Sequence, residues 1–176
     1  MISEKIEKAL NKQIAVEANA AFTYLSMASW ADNHGIEGAA AFFYTHASEE
    51  HAHMMKIVHF VNEVGGKAVI PSVPQPAESY DNITEICKKA YKHEQQVSKS
   101  IHAIVELAQQ ENDHVVDEFL RWFVAEQKEE EVLFMRVMDK IKLIGEGGQS
   151  LYYIDKELNA LNAAALAAAA AKSTAN

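Results

Sequence analysis

Apolar residues recur at steps of three and four through four long stretches of this chain, with no sustained alternation, so the pattern predicts helices rather than strands. The first helix is expected from Ser3, a residue suited to cap free backbone N–H groups, to Asn33, where Asp32-Asn33-His34-Gly35 breaks the run. The second runs from about Ile36 to Val64 and stops at Gly65-Gly66. The third starts near Ile83, behind a capping Asn82, and ends near Glu111. The fourth runs from about Val115 to Ile144, where Gly145 opens a glycine-rich break. A shorter fifth helix is expected from Ser150.

The connections decide the topology. The first–second and third–fourth turns are a few residues long, so each pair forms an antiparallel hairpin. Between the hairpins lie about eighteen residues, Gly65 to Asn82, holding all three prolines of the chain. A helix of about thirty residues is ~45 Å long, and eighteen extended residues reach ~55–60 Å. That connector can therefore run the full length of a bundle, leaving the second and third helices parallel. The expected fold is all-α: a four-helix bundle with one long crossover over residues 1–145 and a short C-terminal helix over 146–161. Residues 162–176 form an Ala-rich tail to which the sequence assigns no function.

Each inward stripe is interrupted once by an acid. The first helix reads Leu10, Glu17, Tyr24, Ala31; the second Phe43, Glu50, Ile57, Val64; the fourth Val116, Phe123, Glu130, Val137, Ile144. The third follows Ala90, Glu94, Val97, Ile101. All four glutamates lie within about three residues of their helix midpoints, or ~5 Å along the axis. His53, three residues after Glu50, shares its face, and Gln127 sits one turn before Glu130.

Four level carboxylates with no inward lysine or arginine repel strongly at low dielectric. Shared protons or bound cations relieve that repulsion. Two divalent ions bridged by carboxylates would neutralise all four, and oxygen ligands with one imidazole suit iron or manganese rather than a structural zinc site. The formal charge of −9 is that of a chain that attracts cations and is repelled by nucleic acid and anionic membranes. No apolar run approaches the ~20 residues that span a bilayer. The lone Cys87 excludes an internal disulfide and points to a reducing cytoplasm.

The segments carrying Glu17 and Tyr24 in "VEANAAFTYLSMASWADNHG", Glu50 and His53 in "EEHAH", Glu94 in "YKHEQQ" and Glu130 in "FVAEQKEEE" together resemble bacterial non-haem ferritins, over about Met1 to Leu161. The resemblance implies an iron-storage protein that oxidises Fe²⁺ with O₂ or peroxide and deposits a ferric mineral in a hollow shell of twenty-four copies. It implies one iron on Glu17, Glu50 and His53 and a second on Glu50, Glu94 and Glu130. A third nearby iron site would use Glu49, Glu126, Glu129 and Glu130. Tyr24 would supply an electron, and Gln127 would be a weak ligand or a support behind the ligands. Where haem-binding relatives carry a methionine this chain has Ala52, so no haem is expected. Leu133 stands where many di-iron peroxidases and oxygenases, the alternative class, carry a second histidine.

Other residues are expected to be peripheral. Glu111 and His114 match the Glu-x-x-His pattern but fall on a turn. By resemblance His114 and Asp117 line an entry channel, with Leu120 where an acid would help. His46 and His93 are expected behind the ligands or in solvent, and Trp122 and Phe123 in packing roles.

Overall fold

The computed structural model describes residues 2–174, with side chains through Ala171. Its helices are α1 (Glu4–Asn33), α2 (Glu37–Glu63), α3 (Ile83–Gln110), α4 (His114–Ile144) and α5 (Ser150–Thr174), and there is no strand among the described residues. The expected caps are in place: the side chains of Ser3, Asn82 and Asp113 accept from the backbone N–H groups of Ile6, Glu85 and Val116. Each satisfies a donor that a helix start leaves unpaired. Gly145, at φ 69°, ends α4 in a backbone region that favours glycine.

Contacts along α1 establish the chain directions. Ser3, at its start, donates to Glu111 at the end of α3; Gln13 pairs with Ser100 and Tyr24 with Glu94. So α1 and α3 are antiparallel. Because α1 and α2 form one hairpin, α2 and α3 run the same way. The connector follows α1 along its length. Asn11 donates to the Lys67 carbonyl at 2.9 Å and accepts from the Val69 N–H at 2.7 Å, while Ser26 donates to the Ala77 carbonyl at 2.5 Å. Polar side chains on the outer face of α1 thereby replace the ladder partners that an extended segment lacks.

Two apolar clusters fill the bundle. One gathers Ile6, Leu10, Ile14, Ile57, Val97, Ile101, Leu120 and Phe123; the other gathers Met27, Phe42, Phe43, Ile83, Ile86 and Phe134. Between them lies a layer of buried polar side chains.

α5 is longer than the short 146–161 helix expected. It continues through the alanine stretch to Thr174, because alanine has the strongest intrinsic helix preference and nothing in Ala163–Ala171 interrupts it. Its first turns lie against α2 and α4. α2 has no side-chain cap of its own, and Asp155 of α5 supplies one: its Oδ1 accepts from the Ala39 N–H at 2.8 Å. Gly38 permits that approach, since a Cβ there would meet the Asp155 carbonyl oxygen and come within 2.9 Å of Asn159 Cβ. Lys140 and Glu157 pair at 3.3 Å across α4 and α5.

Asp155→Ala should therefore act as a lost N-cap, lowering stability by about 1 kcal/mol in equilibrium denaturation. A value indistinguishable from the parent protein would mean that α5 does not cap α2.

Candidate metal centre

Half-way along the bundle the hydrocarbon filling stops. Glu17, Glu50, Glu94 and Glu130 are all buried there, one from each long helix. Each faces inward because its neighbours two turns away, or one turn away on α3, are anchored in the core. Leu10 and Tyr24 flank Glu17, Phe43 and Ile57 flank Glu50, Ala90 and Val97 flank Glu94, and Phe123 and Val137 flank Glu130, all buried.

Ligand atoms collect in two groups. Those of Glu17, Glu50 and His53 lie within 4.8 Å of one another, with His53 Nδ1 3.3 Å from Glu50 Oε2. Those of His46, Glu49 and Glu130 meet the same limit, with His46 Nδ1 3.2 Å from Glu49 Oε2 and 3.6 Å from Glu130 Oε2. Glu94 is tied to supports: Oε1 accepts from the Tyr24 hydroxyl and Oε2 accepts from Gln127 Nε2 at 3.0 Å. Gln13 donates to Glu17 Oε1 at 2.8 Å, and its own oxygen accepts from Ser100 Oγ at 2.5 Å.

Several atoms are left over. One oxygen on each of Glu17, Glu50 and Glu130, and Nδ1 of both His46 and His53, is buried without a hydrogen-bond partner. An unmade buried hydrogen bond costs about 1–3 kcal/mol, more for a charged group. Every described lysine and arginine is exposed, so no side-chain cation balances the layer. Burial, and then the Glu50 charge, raises Glu17 well above the ordinary carboxylate range. Burial, and then the charge of Glu94, does the same to Glu50 and to Glu130. A cation answers both the repulsion and the unpaired atoms. Carboxylate oxygen with imidazole suits a first-row divalent ion such as iron or manganese. Cys87 lies apart in an apolar cluster, its thiol pushed up to about 12 by burial, and offers no thiolate.

A four-helix bundle with this layer has close relatives. A family model described as a ferritin-like domain matches residues 7–144. The chain belongs to the ferritin family. It is 42% identical over 156 residues to a bacterial non-haem ferritin of Campylobacter jejuni, covering 89% of this chain and 93% of that one. A probable bacterial non-haem ferritin-like protein of Haemophilus influenzae is 40% identical over 162 residues, 92% of this chain and 98% of its own. Among solved structures, an open-pore ferritin from the archaeon Archaeoglobus fulgidus superposes with a TM-score of 0.86 at 42% identity, covering 90% of this chain and 98% of that one.

In this ferritin the expected residues are sorted by the geometry. Glu17, Glu50 and His53 meet closely. Glu94 and Glu130 share their layer, near enough that their charges raise Glu50. Glu49, Glu126, Glu129 and Glu130 open on a cavity of about 650 Å³, walled on one side by Ala165, Ala168 and Ala169 of α5. Tyr24 is fully buried, stacked on Phe43 and Phe134.

The geometry also places the residues expected to be peripheral. Leu120 is fully buried in a core cluster, because the helix phase that turns Phe123 inward turns Leu120 inward too. His114 is exposed and Asp117 pairs with Arg121 at 3.1 Å. Glu111 caps the end of α3 and accepts from Ser3, far from the central layer. His46 is not solvated: it is 4% exposed and its nitrogen enters the second group. His93 is partly buried, edge-on to Tyr24 at 6.0 Å, and burial lowers its pKa. Gln13 escaped the sequence reading, although it precedes Glu17 by one helical turn, the spacing that lets two side chains meet. Trp122 is half-exposed and edge-on to His53 at 5.3 Å, with Lys56 Nζ 4.3 Å above its ring.

The raised carboxyls fix the sign of a pH effect. Each binds its proton more tightly folded than unfolded, so its contribution is fully present below the unfolded value near ~4.3 and is lost as pH rises through the folded value. Metal-free protein should therefore lose stability as pH climbs out of the ordinary carboxylate range. Glu50→Gln should flatten that loss and stabilise the metal-free form at neutral pH by on the order of 1 kcal/mol. Denaturation of chelator-treated protein at several pH values measures both, and a parent-like slope in the variant would show that Glu50 does not carry the effect.

Proposed function

We propose that this ferritin stores iron. It oxidises Fe²⁺ with O₂ or hydrogen peroxide at the layer formed by Glu17, Glu50, His53, Glu94 and Glu130, and deposits ferric oxyhydroxide inside a shell of twenty-four copies. The observation that carries this reading is the set of unpaired oxygens and imidazole nitrogens buried at one level with no side-chain cation among them. Glu17, Glu50 and His53 take one ion; Glu50, Glu94 and Glu130 take the second, with Glu50 shared. Glu49, Glu126, Glu129 and Glu130 serve a third position, where the cavity gives an ion a way out. The tail over 162–176 has no assigned role, and no haem is assigned.

The chemistry follows from the donor set. Anionic oxygen ligands stabilise Fe³⁺ over Fe²⁺, which lowers the barrier to losing an electron. Two Fe²⁺ ions give one electron each; O₂ takes both with two protons and leaves as hydrogen peroxide, or peroxide takes them with two protons and leaves as water. The raised carboxyls hold protons before the substrate ions enter and release them as the ions bind. Gln13 and Gln127 orient Glu17 and Glu94, so the sites are shaped in advance. Tyr24 is held as a neutral phenol by burial and by the Glu94 charge. When Tyr24 gives O₂ or peroxide an electron in place of one from iron, the loss is balanced by its proton crossing to Glu94 along their hydrogen bond. The proposed location is the cytoplasm. No described helix is long and apolar enough to cross a membrane.

Aerobic addition of Fe²⁺ should give an amber product that stays with a particle of several hundred kilodaltons, far above two irons per chain. Uptake that stops near two would remove storage and leave a di-iron enzyme. In Glu50→Ala, initial oxidation should fall by at least about tenfold, the loss seen when even a group behind a metal ligand is removed. Assembly should persist, as gel filtration would show. An unchanged rate would place the oxidation elsewhere.

A further inference from the structure

The second group of ligand atoms contains a nitrogen that the acidic set proposed for the third ion does not. His46 lies one turn before Glu49 and Glu50 on α2 and is fixed by rings on three sides: Phe42 at 4.3 Å, Phe134 at 5.3 Å and Tyr24 at 5.9 Å between centroids. Its Nδ1 is directed at Glu49 Oε2 and Glu130 Oε2, 3.2 and 3.6 Å away, yet it makes no hydrogen bond. A nitrogen converging with two carboxylate oxygens without bonding to either is arranged as metal ligands are. The ion that fits would contact all three donors, relieving a buried unpaired nitrogen and an unpaired Glu130 oxygen together. On its open side the cavity of about 650 Å³ gives access past Glu126 and Glu129, with Lys128 and Arg136 also on its walls.

We propose that His46 is a nitrogen ligand of the third cation, which it holds through Nδ1 together with Glu49 and Glu130. The site is then mixed in donor type, and it would take a borderline divalent ion such as Zn²⁺ or Fe²⁺ in preference to Mg²⁺ or Ca²⁺, which favour oxygen alone. This inference deepens the proposed function and rests on its reading of the metal centre.

Zinc separates the two, because it binds without being oxidised. In crystals of the assembled protein soaked in Zn²⁺, anomalous maps should show an ion at a bonded distance of about 2.0–2.1 Å from His46 Nδ1. A third zinc held only by Glu126 and Glu129, well beyond that distance, would overturn the proposal without any variant. In His46→Gln, zinc titration should show the third site weakened by at least tenfold while the pair bounded by Glu17, Glu50 and His53 fills as before; that pair also reports that the variant has folded. Unchanged third-site affinity would overturn the assignment. If zinc sits on His46 but aerobic iron uptake stops near two per chain, the storage reading fails and the ligand assignment stands.

Discussion

Carboxylates held level inside hydrocarbon cannot all keep their charge unless something positive joins them, and the rest of the bundle is arranged around that condition. Removing a carboxylate from water costs several kcal/mol even after relaxation. Here burial pushes Glu17, Glu50 and Glu130 toward their protonated forms, and each is pushed further by a neighbouring glutamate. No described lysine or arginine is buried to answer the charge. The layer is therefore a poor stabiliser and a good receptor for cations. Its supports, Gln13 on Glu17 and Tyr24 with Gln127 on Glu94, hold oxygens in place without neutralising them.

The connector sets the direction of the second hairpin. Because it runs along α1 from Asn11 to Ser26, α2 and α3 are parallel. A short turn in its place would have reversed α3 and exchanged the ends of the second hairpin. The height of Glu94 is set separately, by its place near the middle of α3.

Much of this was legible in the sequence because helical periodicity places side chains by face and height. The stripes through Glu17, Glu50, Glu94 and Glu130 are buried as their spacing implied, and Ser3 and Asn82 cap where expected. What escaped depended on distant partners or on ring orientation. The cap of α2 comes from Asp155, 116 residues away, so no local signal announces it. His46 is one turn from Glu50 and two from His53, which puts it on the right face, but only the packing of Phe42 and Phe134 shows which way its nitrogen points. Gln13 carried the same one-turn signal, hidden because attention to acids passes over amides. Leu120, which falls where an acid would help an entry channel, has the periodicity of a core residue and is buried as one. The alanines after Leu161 dictate helix but, having almost no side chain, say nothing about what that helix lies against.

The two apolar clusters close on either side of the polar layer and do not depend on it for continuity. Leu10, Ile57, Ile101 and Phe123 hold one end of the barrel together, and Phe43, Ile86 and Phe134 the other. Such a division separates the scaffold from its cargo. In the proposed function ions come and go at mid-height while both ends stay locked, so the subunit would tolerate repeated filling and draining where a protein folded around a permanent metal would come apart.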